Sequence, residues 1–82
     1  MVPKEKKALM LGLGLDGKDG HKRFTKGRNF VLAGGSEETH ERMSETAIKV
    51  NEQLARKGKE LEDVSGDEFR DMVREASKNW DQ

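Results

Sequence analysis

The sequence has no cysteine and no long apolar run, and each absence excludes a class of protein. Without cysteine there is no disulfide scaffold, no thiolate metal site and no cysteine nucleophile, so packing and hydrogen bonds hold the fold together. No segment approaches the ~20 consecutive apolar residues of a membrane span. The short apolar run from Ala8 to Leu15 is interrupted by glycine, which makes it a poor secretory signal. We therefore expect a cytoplasmic protein that does not enter a membrane.

Apolar residues make up 32% of the 82 residues and charged residues 39%. A chain of this length allows one domain with a small core, whose stability is marginal unless a second subunit supports it. We expect residues 8–80 to form that single domain. Residues 1–7 precede it as a candidate disordered segment.

The formal net charge is zero because Lys and Arg equal Asp and Glu at 16 each. The two halves of the chain differ, however. Residues 1–35 hold eight basic and three acidic residues, a balance of +5, whereas residues 36–82 hold eight and thirteen, a balance of −5. Binding of a polyanion would therefore be local to the first half, modest and sensitive to salt.

Alternating leucines at positions 9, 11, 13 and 15 predict a strand that carries all four on one face. The other face carries Met10 and two glycines, which indicates a bend or a close approach by another part of the chain. Residues 21–25 and 29–33 predict two further strands around a three-residue loop, with Phe24 opposite Phe30. The expected sheet is a three-stranded antiparallel meander with one apolar face.

A long helix is predicted after the sheet. Ser36 is a typical N-cap, and Gly58 is well placed as a left-handed residue after a helix that ends near Lys57. Ile48 lies away from the apolar stripe of this helix. The stripe consists of Met43, Ala47, Val50 and Leu54.

A second helix is predicted to start at Ser65, after a connector from which Leu61 can turn inward. Ser65 and Glu68 have the spacing of a capping box, and Val64 and Phe69 that of a hydrophobic staple. The apolar stripe continues to residue 79 or 80. Together these elements predict an α+β domain in which both helices pack on one face of the meander.

Three glycines, at positions 12, 14 and 17, form a literal GxGxxG pattern after the first predicted strand. A dinucleotide site needs a helix directly after such a pattern, and the turn-rich residues 16–21 do not predict one. We therefore interpret the glycines as strand and turn residues. We predict no cofactor.

The residues that usually perform catalysis are isolated in this sequence. His21 and His40 have no metal-ligand spacing around them, and Ser36 and Ser65 are explained as helix caps. For His40 we expect a ring at the margin of the core that hydrogen-bonds to a neighbour. We predict no catalytic residue and no metal site, and hence a protein that is not an enzyme.

The run DGHKRFTKGRNFVLAGGSEETHERM, residues 19–43, resembles a family of short uncharacterised bacterial proteins. The resemblance covers about residues 9–75. It implies a small bacterial protein of one domain, and it implies no activity, ligand or site residue.

Two functions remain. The first is a small protein-interaction module that binds another protein or a second copy of itself. It is suggested by the limited apolar content and by three apolar side chains that we expect to face away from the core. These candidate interface residues are Met10, Val31 and Ile48.

The alternative is weak, sequence-independent binding of nucleic acid or another polyanion by the predicted hairpin. Its candidate contacts are Lys22, Arg23, Lys26 and Arg28. Aromatic residues are only 5% of the chain and tyrosine is absent, so the hairpin lacks the stacking platforms that read bases.

Overall fold

The computed structural model describes residues 8–18 and 20–78, which form a three-stranded sheet and two α-helices. In chain order the elements are β1 (Met10–Gly14), β2 (Phe24–Lys26), β3 (Phe30–Gly34), α1 (Glu37–Lys57), a 3₁₀ turn (Leu61–Asp63) and α2 (Gly66–Ser77). The predicted α+β class is confirmed. The predictions for residues 1–7 and for a helix end at residue 79 or 80 lie outside the described residues.

The sheet is mixed, and its strand order is β1-β3-β2. β2 and β3 pair antiparallel, but β1 pairs with β3 in parallel, so the predicted antiparallel meander is wrong. β2 is not the neighbour of β1, because a gap one strand wide separates them in the sheet. β3 fills this gap and pairs with both earlier strands. A meander would instead need a tight turn after β1.

The register of the hairpin also differs from the prediction. Phe24 lies opposite Ala33 and Lys26 lies opposite Val31, whereas Phe30 pairs with β1. The Gly27 N–H donates to the Phe30 carbonyl at 2.8 Å, within the loop that joins the two strands. The two phenylalanines therefore point to opposite faces of the sheet, and the predicted aromatic pair is wrong.

Both predicted ends of α1 are confirmed. The Ser36 side chain accepts a hydrogen bond from the Thr39 N–H at 3.3 Å, and Gly58 adopts a left-handed conformation with φ of 66°. Ala47, Val50 and Leu54 are buried along the predicted stripe. Ile48 lies outside it, with 52% of its surface exposed.

α2 begins as predicted, with the Ser65 hydroxyl accepting from the Glu68 N–H at 3.1 Å. The Glu68 carboxylate does not turn back to complete the predicted capping box. It accepts instead from the ammonium groups of Lys57 and Lys59, each at 3.2 Å. Because both lysines favour its charged form, with Lys57 the larger cause, the pKa of Glu68 lies below its usual value. These two ion pairs connect the start of α2 with the end of α1 and the residue that follows Gly58.

The core lies between one face of the sheet and the two helices. Its most enclosed members, Val50, Leu54 and Met72, are at most 2% exposed. An amide pair connects the start of β3 with α1. The side chains of Asn29 and Asn51 donate to each other in two hydrogen bonds of 2.8 and 3.1 Å. Since Asn29 is buried, the pair satisfies an amide that would otherwise be costly to enclose.

Candidate interaction surface

One face of the sheet has no covering layer within the described residues. Met10, Leu32 and the glycines of β1 point toward α1, so alternate residues of the same strands point the other way. On that side Leu11, Leu13 and Phe24 are exposed by 66–77%. Leu9 and Leu15, the chain neighbours of β1, are exposed by 54% and 88% and continue its alternation. We call these five residues, with the half-buried Val31 and Ala33 between them, the open face.

The helices cover the glycine face of β1 and leave the leucine face exposed, the reverse of a simple hydrophobic pattern. A side chain added at Gly12 would lie 2.7 Å from the Leu32 Cδ2 and 3.0 Å from the Met43 Sδ of α1, so these two side chains would have to move. The close approach predicted from the glycines is confirmed. It places the helix layer and the leucines on opposite sides of the sheet.

The three predicted interface residues do not share one surface. Met10 is only 8% exposed and belongs to the core, so the prediction that it faces outward is wrong. It lies on the glycine side of β1, which the helices cover. Val31 lies on the open face, and Ile48 is exposed on α1. The leucine alternation marks the two faces of β1, but hydrophobicity alone would assign the leucine face to the core.

The four candidate basic residues also diverge. Lys22 and Lys26 are exposed. The Arg23 guanidinium donates to the Gly35 carbonyl at 3.1 Å. The Arg28 guanidinium lies 3.7 Å from the carboxylate of Glu60, in the connector between α1 and α2. The hairpin thus offers two lysines at the margin of the open face rather than a four-residue basic patch.

Asp16 occupies the amino terminus of α1, where an external anion would otherwise bind. Its carboxylate accepts from the Ser36 N–H at 2.9 Å, from the Ser36 hydroxyl at 3.1 Å and from the Thr39 hydroxyl at 2.7 Å. These donors favour the charged carboxylate, the Ser36 N–H most, and so lower the pKa of Asp16. The chain therefore supplies its own anion to this helix.

Close backbone contacts at the ends of β1 and β3 lie next to Asp16. Gly14, at the end of β1, packs directly on Gly35, which follows β3, and Gly17 lies beside the same residue. Gly34 and Gly35 both have positive φ, at 79° and 84°. Gly12 and Gly14 thus lie in β1, as interpreted from the sequence, while Gly14 and Gly17 also pack against the Gly35 backbone.

His40 is buried between the sheet and α1, with both ring nitrogens in hydrogen bonds. Nδ1 lies 3.0 Å from the Gly34 carbonyl and Nε2 lies 2.8 Å from the Thr25 hydroxyl. Because a carbonyl only accepts, Nδ1 carries a proton and donates it to the Gly34 carbonyl, and the Thr25 hydroxyl pairs with Nε2. The expected position at the core margin is confirmed. In the described ranges no group of three or more His, Asp or Glu could hold a metal ion.

Asp16 gives a prediction for acid stability. Because its pKa is lowered in the folded state, the charged carboxylate stabilises the fold at neutral pH, and this stabilisation is lost as the pH falls through the lower folded value. In urea titrations we expect Asp16→Asn to have a lower midpoint than the natural protein at pH 7. The two midpoints should converge as the pH falls below 3.8, the ordinary pKa of an aspartate.

A matched control for this experiment is Asp67→Asn in the first turn of α2. Asp67 pairs with the exposed Arg70 on its own helix, so its replacement should change the midpoint little. If the gap between the natural protein and Asp16→Asn stayed constant from neutral pH to strong acid, a charged cap at this position would be disproved.

The fold and the open face define a small α+β protein. In the part of the chain that the structure describes, α1 packs on one side of the sheet, α2 packs mainly against α1, and no element covers the other side of the sheet. Among the residues that the structure describes, no helix is long and apolar enough to span a bilayer. No protein-family model matches the sequence, and comparisons with curated proteins and with solved structures found no significant match.

Proposed function

We propose that the protein is a non-enzymatic interaction module that associates with a second copy through the open face. The observation that carries the proposal is the group of five large apolar residues exposed together on that face. Single exposed apolar residues are common on monomers, but a group of them on one face of a sheet favours a surface that another protein covers.

The size of the open face supports a second copy as the partner. A large apolar residue offers on the order of 150–200 Å² of accessible surface. At 54–88% exposure, the five residues present roughly 500–700 Å² together. A dimer of standard size covers about 800 Å² on each partner, about two-thirds of it apolar in homodimers. The apolar area thus matches what one side of a homodimer needs.

The energetics also favour association. Burying half of that apolar surface on both copies contributes roughly 12–18 kcal/mol at about 25 cal/mol per Å². Association costs about 4–15 kcal/mol in lost translational and rotational freedom. The apolar burial is therefore of the size needed to offset the cost of association, and the affinity itself is left to measurement. Two sheets packed face to face at about 10 Å would bury the leucines as the inner layer of a sandwich.

The polyanion alternative has less support. Phe24 is the one aromatic member of the open face, so this surface offers a single stacking platform for bases. Of the four basic candidates, Lys22 and Lys26 are exposed near the open face, whereas Arg23 and Arg28 bind other parts of the chain. Two lysines would release few counterions, so any such binding would be weak.

Sedimentation velocity across the micromolar range tests the proposal. We expect the natural protein to shift from its mass of 9.3 kDa toward twice that value as concentration rises. The double variant Leu11→Lys/Leu13→Lys should remain monomeric, because it places charges in the centre of the open face. Both leucines are more than 70% exposed, so the fold should survive.

Ile48→Lys is the matched control, since Ile48 is an exposed apolar residue on α1 and not on the sheet. This variant should dimerise like the natural protein. A natural protein that stays monomeric at high micromolar concentration would refute self-association. Loss of the dimer in Ile48→Lys but not in the leucine variant would move the interface to α1.

A further inference from the structure

Among the described residues, no strand lies beyond the outer edge of β1. The Met10 N–H donates to the Asn29 carbonyl at 2.8 Å, and β1 runs parallel to β3 from there to Gly14. In a parallel ladder alternate residues bond to the neighbour, so Met10, Gly12 and Gly14 face β3. The N–H and C=O groups of Leu11 and Leu13 consequently point away from the sheet.

The two edges of the sheet differ in how they are protected. β2 has three residues, one of them Lys26, and Lys22 lies just before it. Short length and lysine are common devices that prevent an edge from pairing with another chain. β1 has five residues, MLGLG, with no charge and no proline. Its edge has none of these protections and is available for pairing.

A groove runs beside this edge, between β1 and α2. It consists of two adjoining depressions of about 290 and 300 Å³, which share Met10, Leu11 and Phe69 as lining residues. Val64 lines one and Val73 lines the other. Alternate side chains of a strand lie on the same face about 6–7 Å apart. The two depressions therefore offer apolar surface to the side chains that an added strand would place on the helix side of the sheet.

We propose that the outer edge of β1 accepts an extended segment of another polypeptide, with apolar residues at alternate positions, as a fourth strand. The outward backbone groups specify an extended segment, because a helix satisfies its own backbone and offers no matching row of donors and acceptors. The groove specifies the apolar alternation. The occupant is a single strand that pairs with the outer edge of β1 and lies along the groove between β1 and α2.

This site is separate from the proposed self-association. The dimer uses the side chains of Leu11 and Leu13 on the open face, whereas the fourth strand uses their backbone groups and the groove on the helix side. An added strand would also widen the open face by one strand.

A synthetic peptide of alternating valine and threonine, with a lysine at each end and a fluorescent label, serves as the probe. We expect its anisotropy to rise when it is titrated with the natural protein at concentrations below dimer formation. The same peptide with its central amide nitrogens methylated cannot donate along either edge. It should bind at least about tenfold more weakly, the loss expected from one or two hydrogen bonds.

A matched pair of variants tests the edge from the protein side. Leu11→Pro deletes the outward N–H but no bond to β3, and proline is tolerated at such edge positions. Leu11→Thr removes the same leucine and keeps the N–H. We expect Leu11→Thr to bind the peptide within about twofold of the natural protein, and Leu11→Pro to bind at least about fivefold more weakly.

Circular dichroism first establishes that both variants are folded. If Leu11→Pro is not folded, the comparison of the two peptides on the natural protein decides the question. Equal affinity for the methylated and unmethylated peptides, or no binding of either over the range in which the protein is monomeric, overturns the proposal. Equal binding by folded Leu11→Pro and Leu11→Thr overturns it as well.

Discussion

Replacing Gly14 with alanine is expected to destabilise the protein by about 1–3 kcal/mol or more, the range for overpacking a closed contact. The new Cβ would lie 2.5 Å from the Gly35 Cα and 2.7 Å from the Gly35 nitrogen. Both are backbone atoms, so no side-chain rotation relieves the clash and the ends of β1 and β3 must separate. A domain of this size has roughly 4–12 kcal/mol of stability in total. The midpoint of urea unfolding should therefore fall substantially.

Gly66→Ala is the control for this substitution. Gly66 is the first residue of α2, and nothing lies within 4 Å of a Cβ added there. Alanine is at least as favourable as glycine in a helix, so this variant should be neutral or slightly more stable. Equal midpoints for the two variants would show that the contact between Gly14 and Gly35 is not tight in solution.

The helices could be predicted from the sequence because their determinants are local. Ser36 and Ser65 cap the helices that follow them, and Gly58 ends the first helix. Each signal depends on residues within one turn, so it acts whatever the rest of the chain does. The stripe around Val50 and Leu54 follows from the helical period alone.

The sheet could not be predicted as well, because its order depends on contacts between distant segments. Period-two alternation shows that β1 has two faces, but it does not identify the neighbour of the strand. The parallel position beside β3 depends on the contact between Gly14 and Gly35 and on the bonds from Asp16 to Ser36. Each links residues about twenty positions apart, and no local pattern reports such a contact.

The open face escapes prediction for a related reason. Leucine is usually buried, so hydrophobicity assigns the leucine face of β1 to the core and leaves Met10 outside. The structure reverses the two because glycine, having no side chain, permits the closest approach of α1 through Met43. The glycines were the available signal: a strand face that a helix touches closely must be small. Read in that way, they predict that the leucines face outward.

Because the two faces are reversed, the same substitution should have very different effects on stability at two leucines. Leu54 is 1% exposed in the core, whereas Leu13 is 72% exposed on the open face. Leu54→Ala should destabilise the protein by about 2–5 kcal/mol, through lost burial and the cavity that remains. That is a large part of the total stability, so the variant should be partly or wholly unfolded at physiological temperature.

Leu13→Ala should change the stability by no more than about 0.5 kcal/mol, the usual effect of a surface substitution. Urea unfolding followed by circular dichroism, at dilutions where the protein is monomeric, measures both values. At higher protein concentration the urea midpoint of Leu13→Ala should be lower than that of the natural protein. A dimer gains stability by mass action, and the variant forms the dimer less well. A loss of several kcal/mol in the dilute Leu13→Ala protein would mean that the leucines of β1 face the core. That result would overturn both the open face and the function proposed for it.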